Sequence, residues 1–172
     1  MNRTKAKGRR EGGKFIMLPK ACLTHENYIS LSPYAVKLLM DLYLNYNGFN
    51  NGDFCGTWSM MKKRGWRSEA TLNKSIKELL YYGWIVCTRQ GGRNQASLYG
   101  VTFQSIDECK GKLDIKETVT SLAYWKEKKE ISFKEYEKNK NASRNVVQFT
   151  TPPVVIAWEK PTFTVQLLQE VR

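Results

Sequence analysis

Eight basic residues fall between positions 57 and 103, set against only Glu69 and Glu78. They are Lys62, Lys63, Arg64, Arg67, Lys74, Lys77, Arg89 and Arg93. Ammonium and guanidinium groups at this density are suited to holding phosphate oxygens, and a guanidinium can also make paired hydrogen bonds to a guanine edge. A second block, residues 1–14, carries Arg3, Lys5, Lys7, Arg9, Arg10 and Lys14 against Glu11. These two stretches hold nearly all of the net charge of +12. Positive charge segregated in this way points to a polyanionic partner, the plain alternative being a solubility surface.

The other reactive side chains suggest no catalytic centre. His25 is the single histidine, and Cys22 beside it has no second ligand pair downstream. Cys22, Cys55, Cys87 and Cys109 lie far apart, without the close pairs that a zinc site needs, and are expected as reduced, mostly buried thiols. Gly91-Gly92 sits between two strand-like runs, not ahead of a helix, so it does not read as a phosphate-binding loop. No catalytic residue, metal or cofactor is expected.

The elements that must position the basic groups follow from apolar spacing. Ser32-Pro33 starts a helix: serine can cap the first turn, and proline gives up an N–H that has no partner there. Ala35, Leu38, Leu39, Leu42, Tyr43 and Tyr46 then form one apolar face, and Asn47-Gly48 stops it. Phe54-Cys55-Gly56 reads as a very short strand. A short helix is expected over 57–64, with Trp58 and Met61 inward and Gly65-Trp66 as the break. A third helix begins at Ser68 and ends at Gly83, with Leu72, Ile76, Leu79 and Leu80 on its buried face. Runs 84–88 and 98–103 pair as a hairpin around the basic tip Gly91-Gly92-Arg93-Asn94. Residues 104–144 are polar; part of 122–136 is expected as helix, with Trp125, Phe133 and Tyr136 as anchors. Pro152-Pro153 breaks any regular element, and 154–158 and 163–171 are strand-prone.

Two helices joined by a short glycine-containing turn, followed by a hairpin, are the pattern of a helix-turn-helix with a wing. The chain here resembles the winged helix-turn-helix superfamily, and within it small DNA-binding proteins of bacteria, phages and mobile elements. The residues that carry the resemblance are Asn50-Asn51-Gly52, Trp58-Ser59-Met60-Met61, Gly65-Trp66-Arg67-Ser68, Thr71-Leu72, Glu78-Leu79, Gly83-Trp84-Ile85 and Thr88-Arg89-Gln90-Gly91-Gly92. It runs from about Phe15 to Asp107, and there is a faint similarity to N-terminal domains of plasmid and phage replication initiators. The fold implied is α+β: three helices and a small hairpin wing over 15–107. A disordered basic arm at 1–14 and an irregular extension at 108–172 flank it.

The resemblance implies that the third helix enters the major groove. Its outward side is then expected to carry Arg67, Ala70, Thr71, Lys74, Lys77, Glu78 and Tyr81. Arg67 would read guanine, Asn73 adenine, and Lys74 and Lys77 would hold phosphates. Ser68 caps first and contacts DNA second, and Thr71 lies beside Ala70, whose small side chain permits close approach. Lys62, Lys63 and Arg64 are phosphate candidates. Arg93 and Asn94 at the tip, with Arg89, are placed against backbone or minor groove. The 1–14 arm would track phosphates or enter a minor groove.

The partner expected is therefore double-stranded DNA, bound sequence-specifically by a transcriptional regulator of a mobile element or phage. A homodimer is compatible with this. A replication-initiation accessory protein is the alternative within DNA binding. A winged-helix protein-interaction module is the rival outside it: the wing and third helix would pack against a partner chain, and the apolar run 154–158 of the C-terminal extension would add a strand to another subunit. No apolar run approaches the ~20 residues that cross a bilayer, and no apolar stretch follows the basic N-terminus, so the expectation is a cytoplasmic protein without membrane contact.

Overall fold

A computed structural model describes residues 15–149 of the 172-residue chain, with side chains through residue 142. The arm at 1–14, the Pro152-Pro153 break and the strand-prone runs 154–158 and 163–171 lie outside the described residues. The chain divides into two compact units, Met1–Glu135 and Tyr136–Arg172.

The first unit is α+β. Two short helices, α1 (Lys20–Thr24) and α2 (Glu26–Ile29), lead into α3 (Pro33–Tyr43). Then come β1 (Phe54–Cys55), α4 (Trp58–Lys63), α5 (Glu69–Tyr81), β2 (Ile85–Arg89) and β3 (Leu98–Val101). The strands form an antiparallel sheet in the order β1-β3-β2, with Tyr99 of β3 between Phe54 and Cys87. Among the described residues no helix is long and apolar enough to cross a membrane.

The sequence signals for α3 act as expected. Ser32 accepts from the backbone N–H of Ala35, and Pro33 occupies the first turn. Ala35, Leu38, Leu39, Leu42 and Tyr43 are fully buried against Leu72 and Leu79 of α5, with Phe54 and Trp84 in the same core. Burying side chains of this size contributes roughly 1.5–3 kcal/mol each, which makes the α3–α5 contact the mainstay of the unit. The two short helices α1 and α2 have too little amphipathic length to be legible in advance. Asn27 of α2 explains why they stay in place: its carbonyl accepts from Trp84 Nε1, and its amide donates to the carbonyls of Trp125 and Glu127.

Those last two residues belong to a segment expected as a loose extension. It is instead part of the first unit, which passes the expected boundary at 107 and runs to Glu135. Its backbone N–H groups are satisfied by the rest of the unit: Asp107 donates to Asn51, Asp114 to Thr88 and Ala123 to Thr102. Trp125 stacks on Trp84 with ring centres 5.4 Å apart, and Phe133 is also buried. Residues 123–134 thus form a strap across the ends of α2 and α5. Gly83, which ends α5 at φ 71°, lies so close beneath it that a β-carbon would stand 2.6 Å from the Tyr124 carbonyl oxygen. The helix expected within 122–136 amounts to a 3-10 turn, Tyr124–Lys126, and the start of α6 (Phe133–Phe149). The remainder of α6 is the described part of the second unit, where Lys140 Nζ sits 5.8 Å from the ring centre of Tyr136.

Candidate nucleic-acid interface

The turn between α4 and α5 is built on a buried carboxylate. Asp41 of α3 is only 4% exposed. It accepts from Lys37 Nζ, from Arg64 Nε at 2.9 Å and from Trp66 Nε1 at 2.9 Å. Arg64 Nη2 adds a contact to the same carboxylate at 2.8 Å. Desolvation is the largest single influence on Asp41 and acts upward. The hydrogen bonds from Lys37, Trp66 and Arg64 together outweigh it, and the carboxyl rests below the ordinary aspartate value. Lys37 also reaches the Arg64 carbonyl, so α3 grips both the backbone and the side chain of the turn.

Arg64 therefore braces the turn through Asp41, while its side chain remains 44% exposed. Lys62 and Lys63, in the last turn of α4, are exposed. Arg67, just past Trp66, is exposed as well.

Ser68 caps α5, accepting from Thr71 N at 3.3 Å. The buried stripe of α5 is Leu72, Ser75, Glu78 and Leu79, with Ile76 half-buried. It is rotated from the expected one. Leu80, expected inside, is 38% exposed, and Glu78, expected outside, is 5% exposed. The rotation has a polar cause: both Glu78 oxygens accept from Ser32, one from its N–H and one from its hydroxyl, each at 2.7 Å. A carboxylate at the N-terminus of α3 is also favoured by the helix dipole. Ser75 can be buried because its hydroxyl donates to the Thr71 carbonyl. Thr71 is half-buried, and Tyr81 is half-buried with its hydroxyl on the Ile131 carbonyl. The exposed residues of α5 are therefore Glu69, Ala70, Asn73, Lys74, Lys77 and Leu80, preceded by Arg67.

The hairpin of β2 and β3 closes tightly. Gly92 and Gln95 exchange backbone hydrogen bonds around Arg93-Asn94, and Asn94 takes φ 63°, a left-handed conformation that asparagine tolerates better than most residues. Arg93 is exposed at the tip. Arg89 is not: its Nη2 donates to the Ala96 carbonyl at 3.1 Å, and its Nε is buried without a hydrogen-bond partner. It braces the hairpin from within and is corrected here from an outward contact to an internal one. Asn94 likewise serves the turn first.

The basic residues thus sort into two groups. Arg64 and Arg89 are held by other residues of the fold, Arg64 by Asp41 and Arg89 by the Ala96 carbonyl. Lys62, Lys63, Arg67, Lys77 and Arg93 make no ion pair with any described residue. Side chains of this second kind can hold phosphate oxygens, and Arg67 and Asn73 can pair with base edges.

Other candidates prove structural. His25 caps α2 through Nδ1 and packs edge-on against Trp125 at 5.1 Å. Of the cysteines, only Cys22 is fully buried; Cys55, Cys87 and Cys109 are half-buried, and all four are free thiols. Burial pushes the Cys22, Cys87 and Cys109 thiols up, away from the reactive thiolate. No cluster of three or more His, Cys, Asp or Glu residues able to hold a metal occurs among the described residues. The buried acids Asp41 and Glu78 were the features missed. Neither acid lies on the apolar stripe of its own helix as read from the sequence, so periodicity gave no signal for either.

No protein-family model matches the chain, and no curated protein and no solved structure matches it.

Proposed function

We propose that this chain is a winged helix-turn-helix protein that binds double-stranded DNA with sequence preference. In this reading α5 lies in the major groove, α4 crosses the backbone, and the β2–β3 hairpin is the wing. The observation that carries the reading is the division of the basic residues. Arg64 is paired with Asp41 and Arg89 is hydrogen-bonded to the Ala96 carbonyl, while five cations on α4, the α4–α5 turn, α5 and the hairpin tip face solvent without an ion-pair partner among the described residues. A surface that served solubility alone would have no need to keep them on consecutive elements of this one motif. Ala70 supports the reading further, since a small residue on the exposed ridge between Arg67 and Asn73 lets a helix backbone approach a groove floor. No catalytic role is proposed.

Selection of bound fragments from random duplex DNA, followed by titration across salt, tests the proposal. A short consensus should emerge. With about five phosphate contacts at roughly −0.9 each, log affinity should fall against log salt with a slope near −4 to −5. Palindromic sites would indicate a dimeric regulator, and tandem repeats a replication role. Absence of any duplex binding at moderate salt would overturn the proposal in favour of a protein-interaction module.

A further inference from the structure

The loop between α3 and β1 contains two Asn-Gly pairs, Asn47-Gly48 and Asn51-Gly52. In such a pair the backbone nitrogen of glycine can attack the asparagine side-chain amide, because no side chain hinders the approach. The linear order gives the two pairs equal standing. Their surroundings in the fold are opposite.

Asn51 is fully buried. Its Nδ2 donates to the carbonyls of Val101 at 2.9 Å and Ser105 at 2.7 Å, and its Oδ1 accepts from Val101 N at 2.8 Å. Its own N–H donates to Asp107 Oδ2 at 2.7 Å. Gly52 is enclosed as well: a β-carbon there would stand 2.7 Å from Leu113 Cδ1. Turning the Asn51 side chain towards Gly52 N would break these side-chain bonds and strand buried donors.

Asn47 is exposed, and a β-carbon on Gly48 would meet nothing within 4 Å. Asn47 Oδ1 accepts from Phe49 N at 3.0 Å. That bond folds the side-chain carbonyl back along Gly48 and draws electron density from its carbon. Asn47 Nδ2 and the Gly48 N–H donate to no described residue, so the leaving group and the attacking nitrogen are both free.

We propose that Asn47 is a site of spontaneous deamidation in the folded protein, and that the fold protects Asn51. Gly48 N gives its proton to a base from solvent and attacks Asn47 Cγ. The Cγ–Nδ2 bond breaks, Nδ2 takes up a proton and leaves as ammonia, and a cyclic succinimide remains. Water then adds to either carbonyl of the ring, which gives aspartate or isoaspartate. Both products put a carboxylate where a neutral amide stood, and isoaspartate also lengthens the main chain of the loop by a methylene. The site goes beyond the DNA-binding reading and stands or falls without it.

The test incubates the full chain at mildly alkaline pH in heavy-oxygen water, once folded and once in guanidinium chloride. Digestion in ordinary water follows, with fragment-ion mass spectrometry to separate residue 47 from residue 51. Heavy oxygen then marks only conversions that took place during the incubation. In denaturant both residues should take up label at similar rates. In the folded chain Asn47 should convert, while Asn51 should be at least ~100-fold slower, since it reacts only from opened molecules. Asn47→Gln should abolish labelling of the loop in the folded chain, because the longer side chain would have to close a larger ring. Equal rates for Asn47 and Asn51 in the folded chain would overturn the proposal. So would an Asn47 that stays intact in the folded chain, whatever happens in denaturant.

Discussion

The carboxylate of Glu78 accepts both the backbone N–H and the hydroxyl of Ser32, each at 2.7 Å, and so ties the middle of one helix to the cap of another 46 residues earlier. The same Ser32 hydroxyl accepts from Ala35 N, which makes the cap, the acid and the first turn of α3 one connected network. It sets the rotation of α5, and with it which side chains the helix shows to solvent.

Glu78→Ala should therefore be costly despite the helix propensity of alanine. It strands a Ser32 N–H and removes two charge-assisted hydrogen bonds, each of the kind worth roughly 1.5–3 kcal/mol. A loss of about 2–4 kcal/mol is expected in urea unfolding. Glu78→Gln, which keeps one acceptor, should lose less. A loss under ~0.5 kcal/mol for the alanine variant would mean that this network does not hold α5.

Asp41 gives the chain a defined acid sensitivity. Its folded value lies below its ordinary value of 3.8, so the folded state binds that proton less readily than the unfolded chain does. The stabilisation is complete above that ordinary value and is lost as the pH falls through the lowered folded one. Asp41→Asn should lower stability at neutral pH by roughly 1–3 kcal/mol, and the gap between the two proteins should narrow on acidification. Melting curves at pH 7 and pH 3 measure it. A constant gap would mean that the carboxylate is not the group titrating.

Arg67 and Arg64, three residues apart, should behave differently in DNA binding. Arg67→Ala should cost ~1–3 kcal/mol at the selected site and relax preference at one base pair. Arg64→Ala should leave the salt slope unchanged and lower the melting temperature, because its partner is Asp41. Lys62→Ala should weaken all sequences alike and shallow the slope by about 0.9. A uniform loss for Arg67→Ala would reassign it to phosphate.

Trp125→Ala should show that the strap belongs to the folded unit. Removing a buried tryptophan typically costs ~3–5 kcal/mol. Gly83→Ala should be destabilising by more than about 1 kcal/mol, because it combines positive φ with a clash against the Tyr124 carbonyl. Two-state unfolding should persist for the Trp125 variant with a lowered midpoint. An unchanged midpoint would return residues 108–135 to a passive tail.

Much of the motif was legible before any coordinates. Ser32-Pro33, Ser68 and Gly83 act through the local geometry of a helix end, which depends on a few neighbouring residues and little else. The apolar repeat from Ala35 to Tyr43 likewise specifies a buried face by periodicity alone. The charge blocks and the hairpin with its Arg93-Asn94 tip are local features of the same sort.

What the linear order could not convey depended on partners far away along the chain. Whether an arginine is paired is decided by an acid supplied from another helix, as Asp41 is for Arg64. The facing of Glu78 is decided by Ser32, and the place of Trp125 by Trp84 and Asn27, all remote in sequence. Amphipathic periodicity treats every charge as solvent-seeking, whereas a charge whose hydrogen bonds are met inside the fold can be buried. The sequence by itself thus determined a basic chain of mixed helices and strands, and tertiary pairing alone decided which of its cations are engaged by the rest of the fold.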